Sequence, residues 1–510
     1  MNPSSKIFRS AFVIMIVLLL VKPLNLIKEL LLAALFGTTA TMDLYVASLV
    51  VPLLAVGALG GLFQATVVPI YNTFDRRGER DAWFSSLVTG FGAGLAAAGI
   101  LLYASVGLLF PVFASGGLAS HQRTFMVLSL FSFGTILPLG VAALYRSYLE
   151  SAFDFKTPVV LQGVIALAVI GSTMAVKIAG VYAVAAGNCI GSVLYAVFMA
   201  AAAARAGFRY RPRLDLRSQP VRRVLALMAP LVLSAAFTHV NVAVDITMAA
   251  WLKVGSVSSL SYAEKIMIAV RSFFVFSLST AAMSHFSRDI ADGRFDNLDR
   301  SIRHAVRFSA VFLVPLSLFC MVMAVPLVRV IFERGAFTPE STLMTGRALA
   351  CFAAGLFPVS LVFIVPRVFY ALQENRTVMV ISGVGAVANV ALNFLFMRIF
   401  GAPGIALSTS CVYVLSAAVL MFQLSRRSPQ IDVASYLRDT VPIALAALIA
   451  VAVMMAIYHV ELLTDPAANL LCASGIFGAV YLAALAVLAR EDVRLLAGSL
   501  RSLWNKQGRQ

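Results

Sequence analysis

Apolar runs of about twenty residues, separated by short polar stretches, recur along the whole chain. A run of that length is what an α-helix needs to cross a hydrocarbon core of roughly 30 Å. The pattern predicts an all-α polytopic membrane protein with about 14 transmembrane helices. The spans begin near Ser10, Asp43, Phe84, Thr124, Pro158, Gly180, Val224, Ser258, Ala305, Leu343, Val378, Gly401, Thr440 and Asn469. The first is long and interrupted. Lys6 and Arg9 precede an apolar stretch from Ala11 to Val21, as in a secretory signal, but no small-residue cleavage site follows. The apolar character continues through Lys22, Pro23, Lys28 and Glu29 to Phe36. Pro23 lacks a backbone donor and is predicted to bend or break the helix, with Asn25 placed to bond the freed backbone groups.

The polar stretches alternate in charge. Arginines crowd the segments after spans two, six, eight and twelve and the C-terminal tail, including Arg76, Arg77, Arg80, Arg209, Arg211, Arg213, Arg294, Arg300 and Arg426. The intervening segments are nearly bare. The positive-inside rule then places the arginine-rich loops and both termini in the cytoplasm. Composition agrees: 61% of the 510 residues are hydrophobic and 12% charged, about half the charge of an ordinary soluble domain. The net charge of +17 would suit nucleic acid, but its distribution over short loops argues for membrane topology and against that partner. The five cysteines stand singly in apolar runs, with no metal-ligand or redox spacing. No dinucleotide motif or catalytic constellation appears, so no cofactor, metal or enzymatic chemistry is expected.

The chain repeats itself. Glu29 to Ala34, followed by Tyr45-Val-Ala47, recurs as Asp245 to Ala250, followed by Tyr262-Ala263, at offsets of 216 and 217 residues. Arg146-Ser-Tyr148-Leu-Glu150, closing at Lys156-Thr157, recurs as Arg367-Val-Phe369-Tyr370-Ala, closing at Arg376-Thr377. The repeat covers six spans, an even number, so the two lobes have parallel orientation. The division this predicts is 1–220 for spans one to six, 221–424 for spans seven to twelve, and 425–510 for two extra C-terminal helices and a tail.

Within the spans lie ionisable residues, each costing roughly 2.5–3.5 kcal/mol at mid-bilayer unless it faces a cavity or a partner. Span one carries Lys22, Lys28 and Glu29; span two opens with Asp43; span seven carries Asp245; span eight carries Glu264, Lys265 and Arg271. They can neutralise one another in pairs: Lys28 with Glu29, Glu264 with Lys265, or Asp245 with either of these lysines. They can instead line a central wet cavity, where the excess of cations in spans one and eight suits an anionic substrate such as a phosphate or diphosphate.

Several segments resemble the MurJ/MviN family of lipid II flippases. Val330-Ile-Phe-Glu333-Arg334-Gly335-Ala-Phe337-Thr-Pro339 is similar to that family's loop after span nine. Arg367-Val-Phe369-Tyr370-Ala-Leu resembles its Arg-x-Phe-Tyr-Ala-Leu segment, and Phe36-Gly37 with Asp43 and Tyr45 resembles its first periplasmic turn. The resemblance covers essentially the whole chain. It implies a multidrug/oligosaccharidyl-lipid/polysaccharide-exporter fold that moves a polyprenyl-diphosphate-linked sugar by alternating access. It implies too that Lys22, Lys28 and Lys265 stand where the family has cavity arginines, and Asp43 where it has an aspartate. The span-two arginine of the family has no counterpart among Ala55, Val56 and Gly57, and the span-eight segment Ile266-Met-Ile-Ala-Val270 lacks the family's proline.

The expected function is therefore a flippase for lipid II or a related lipid-linked oligosaccharide of exopolysaccharide synthesis. Its expected partners are that anionic lipid-linked substrate and the membrane lipids, and the chain is expected to be a monomer. The alternative is a small-molecule antiporter of the same superfamily, which for cationic drugs would want acidic cavity residues.

Overall fold

The computed structural model describes residues 21–57, 59–71, 73–74, 76–113, 116–215, 218–427, 431–458 and 465–489. All regular structure among them is helical. Among the described residues ten helices are long and apolar enough by themselves to cross a membrane, and the predicted start of span one near Ser10 lies outside the described residues. The count is eleven if Pro339–Ala354 and Leu356–Ala371, bent by 42°, form one span. The segments outside that set, residues 21–36, Gln219–Ala249 and Ser256–Ala291, carry seven of the eight ionisable residues singled out above. The chain is a multi-pass membrane protein.

By its contacts the chain forms two compact units. The first runs to Ser258 and includes Arg334–Thr338; the second comprises Ser259–Glu333 and the chain from Pro339 onward.

The internal repeat is written into the backbone. Span four is broken between Gln122–Gly134 and Ile136–Ser151, span ten between Pro339–Ala354 and Leu356–Ala371. The breaks at Thr135 and Gly355 are 220 residues apart, and each lies three residues before a proline, Pro138 or Pro358. A proline inside a helix cannot donate to the carbonyl four residues back, and its ring pushes that carbonyl away, so the ladder opens there in both halves. The same two helices end alike. Phe153 and Gln373 both take φ of 62°, unusual for residues with side chains. Asp154 N donates to Leu149 O at 2.9 Å and Glu374 N to Phe369 O at 2.8 Å, the wide closing bond of a helix C-terminus that turns left-handed. Spans five and six are joined through Gly180 and spans eleven and twelve through Gly401, at nearly the same φ and ψ.

The first unit has its core where Phe84, Tyr145, Tyr148 and Phe208 pack ring on ring beside Phe63, Trp83 and Met199. In the second, Phe286, Leu298, Val368, Phe369 and Tyr436 make the corresponding core. The two extra helices, Val433–Tyr458 and Pro466–Leu488, dock on Phe295–Val322. The small side chains Ala310, Ala446, Ala447 and Ala450 allow close approach, and Tyr481 donates its hydroxyl to Val311 O at 2.7 Å. Arg303 adds a two-pronged pair with Asp439 at 2.6 and 3.0 Å.

Candidate substrate site

Span one is described from residue 21 and is helical to residue 36. Lys22 is exposed and Lys28 is half-buried. Lys28 Nζ meets Glu29 Oε1 at 2.9 Å, one of the pairings the sequence offered. The helix runs through Pro23 without a break in the described residues, and Asn25 Nδ2 donates to Val21 O at 3.4 Å, a long bond. The two lysines and one glutamate leave this stretch with a formal charge of +1.

The helix ends at Gly37, whose φ of +52° is the left-handed region. Here the first unit admits the short segment Arg334–Thr338 that the sequence comparison picked out. Ala336 N donates to Ala34 O at 2.7 Å. Gly335, at φ +60°, sits so close that an added Cβ would strike Ala34 O, and a Cβ on Gly37 would strike Ala336 O. Each glycine is thus needed by the other strand's backbone. Gly335 and Ala336 of that motif make a backbone joint with the end of span one.

Asp43 is almost wholly buried, 1% exposed. Its carboxylate accepts three hydrogen bonds: from Gly255 N at 2.6 Å, Ser258 N at 2.8 Å and Ser258 Oγ at 2.6 Å. These donors are at the start of Ser256–Ala291, which is span eight. The first amides of a helix have no intrahelical acceptor, and the helix dipole favours an anion there. Asp43 therefore acts as an N-terminal cap supplied from 212 residues away, with both oxygens engaged. Gly255, at φ +90°, makes the turn that presents its amide.

In the second unit, Glu264, Lys265 and Arg271 are all half-buried on span eight. Glu264 pairs with Arg271 at 3.6 Å. Positions seven apart return to nearly the same helix face, which long side chains can span. Arg271 Nη1 also reaches the hydroxyl of Tyr413 at 3.3 Å, and Lys265 Nζ lies 5.6 Å from the ring centre of Tyr262. Asp245 is half-buried near the end of Gln219–Ala249. The structure thus brings together Lys28 with Glu29, and Glu264 with Arg271 and Tyr413. It places Asp43 on a helix end. Sequence reasoning missed Gly255, Ser258 and Tyr413. The seven-residue spacing held the signal for Glu264 and Arg271, whereas nothing in the sequence marked Tyr413.

Apolar membrane-length helices throughout the described residues, with charged side chains set in spans one and eight, define a polytopic membrane protein. The family described as lipid II flippase MurJ matches residues 32–467. The chain belongs to that family. It is similar to a protein of Synechocystis sp. named probable lipid II flippase MurJ, 26% identical over 462 residues, covering 86% of each chain. It is similar as well to the lipid II flippase MurJ of Burkholderia cenocepacia, 27% identical over 467 residues, covering 88% of this chain and 89% of that one. Among solved structures, a lipid II flippase MurJ in an inward closed conformation shares the fold, with a TM-score of 0.83 at 22% identity, over 94% of this chain and all of the other.

Proposed function

We propose that this protein flips lipid II, the polyprenyl-diphosphate-linked precursor of peptidoglycan, across the bacterial cytoplasmic membrane by alternating access. The observation that carries the reading is the family match over residues 32–467, joined to basic residues retained in span one. A diphosphate cannot enter hydrocarbon unaided, since even one charge at mid-bilayer costs several kcal/mol. A wet path with cations lowers that cost, while the polyprenyl tail loses nothing by remaining in lipid. Lys22, Lys28 and Lys265 are the residues we assign to the phosphates, with Glu29, Asp245, Glu264 and Arg271 setting the field around them. Lysine offers a compact charge without the planar fork of arginine, so binding here depends on charge more than on bidentate geometry. That suits a carrier, which must release what it binds.

The antiporter reading asks for a carboxylate available to a cation. Asp43 is taken up by three donors, and Glu264 and Glu29 each face a basic side chain. We place both termini and the arginine-rich loops in the cytoplasm, and take the protein to act as a monomer. The reading is tested by reconstituting the full chain in vesicles carrying fluorescent lipid II and adding a membrane-impermeant quencher. Protein-dependent loss of the inner-leaflet signal is expected. A rate equal to that of empty vesicles, with an undecaprenyl-diphosphate oligosaccharide moved instead, would reassign the cargo.

A further inference from the structure

The segment joining span six to span seven is built as a fixed surface. Residues 206–215 leave Val181–Arg205 and run without helix toward Gln219–Ala249. Phe208 is buried in the aromatic core, 5.2 Å from the rings of both Phe84 and Tyr148. Arg209 N approaches Asp81 Oδ2 at 3.4 Å, Arg211 N donates to Ser85 Oγ at 3.1 Å, and the hydroxyls of Tyr210 and Thr89 meet at 2.9 Å. Asp81, Ser85 and Thr89 recur every four residues on one face of Arg77–Ala104. The loop therefore lies along the first four turns of that helix, at the arginine-rich end of span three. It does not hang free in the solvent.

Its side chains are arranged accordingly. In extended backbone alternate residues share a face, at a spacing of about 6.6 Å. Arg209, Arg211 and Arg213 are all exposed, and Tyr210 stands between them with its ring toward span three. The guanidinium of Arg77 lies where a side chain at Gly207 would project, so it joins the same surface. Residues 75–81 and 205–223 together hold ten arginines against four acidic residues. Of those acids, Asp81 is taken by the loop backbone, Glu79 faces Arg76 at 3.4 Å and Asp215 faces Arg213 at 3.5 Å; Asp75 lies outside the described residues.

We infer that this surface binds the anionic phospholipid headgroups of the leaflet it faces. A single diphosphate satisfies two or three guanidinium groups, whereas a row of arginines anchored along the end of a membrane span matches a layer of separate phosphates. The interleaved tyrosine fits the same place, since its ring and hydroxyl suit the boundary between hydrocarbon and headgroups. A loop that served only to orient the chain during insertion would need the charge but not the anchoring.

The test is titration of the purified full chain in detergent with phosphatidylglycerol or phosphatidylcholine, counting bound lipids by native mass spectrometry. Detergent removes the leaflets, so the result is independent of the assigned orientation. Phosphatidylglycerol should bind more tightly than phosphatidylcholine. The R209Q/R211Q/R213Q variant should weaken it roughly a hundredfold, three residues at about 1 kcal/mol each. R209K/R211K/R213K should bind like the parent, and R294Q/R300Q, in another arginine-rich loop, should change nothing. Unchanged phosphatidylglycerol binding in the glutamine variant overturns the inference. So does a lysine variant as weak as the glutamine one, and so does an effect confined to lipid II, which would make the surface a substrate contact.

Discussion

Replacing Asp43 tests whether a carboxylate on span two holds the start of span eight. Asp43→Asn is nearly isosteric but removes the charge and turns one acceptor into a donor. With Oδ1 kept toward Ser258, the new NH2 group faces Gly255 N, a donor against a donor where a 2.6 Å bond had been. Hydrogen bonds to a charged group contribute about 1.5–3 kcal/mol, and a buried unpaired donor costs about 1–3 kcal/mol. Loss of a side-chain cap by itself costs about 0.5–2 kcal/mol. The terms overlap, so the local cost is about 2 kcal/mol for Asn and about 3 kcal/mol for Ala. The assay is amide hydrogen exchange over residues 252–260 in the purified protein. At about 1.4 kcal/mol per factor of ten, exchange of the Gly255 and Ser258 amides should rise roughly thirtyfold in Asp43→Asn and more in Asp43→Ala. Ser258→Ala keeps both amide bonds and should have a smaller effect. Exchange in Asp43→Asn equal to the parent would refute the capping argument, and Asp43 would then be free for another task.

The other predictions concern the cations, the joint, the topology and the appended helices. Lys22→Gln, Lys28→Gln and Lys265→Gln should each lower lipid II transport in vesicles at unchanged protein level, and Lys→Arg at the same sites should be tolerated; normal transport in all three glutamine variants would remove the cationic site. Gly335→Ala should destabilise the protein by about 1–2 kcal/mol or more, because both the positive φ and the contact with Ala34 O oppose it, and a melting temperature equal to the parent's would contradict this. In intact cells, a cysteine at Ser218 should be shielded from an impermeant thiol reagent and one at Ser120 labelled, and the reverse would invert the orientation. A double-mutant cycle between Arg303 and Asp439 should give a coupling of about 1 kcal/mol, since the pair is two-pronged but partly exposed; zero coupling would leave Tyr481 and the alanine contacts to dock the last two helices.

The ten long apolar helices were legible because each is a simple run of apolar side chains, and the matching breaks because Arg146-Ser-Tyr148 and Arg367-Val-Phe369 are nearly the same words. The broken fourth and tenth spans were legible in principle at Pro138 and Pro358, since proline acts locally. The pairing of Lys28 with Glu29 needed only neighbours. The capping by Asp43 was hidden for a physical reason: its partners are backbone amides and a serine more than two hundred residues away, and an amide has no residue type to read. The same holds for the joint at Gly37 and Gly335. Each glycine is conspicuous alone, but only the structure shows that each makes room for the backbone of the other. Tyr413 was hidden because a lone tyrosine in an apolar helix has many ordinary explanations.

The most direct test of the central claim is complementation of a bacterial strain depleted of its own lipid II flippase, with membrane levels of this protein verified. Growth should be restored, with lipid II no longer accumulating on the cytoplasmic side, and Lys28→Gln should restore it less well. Lysis of the depleted strain despite normal amounts of the protein in the membrane would contradict the account, and would point to another polyprenyl-linked oligosaccharide as the cargo.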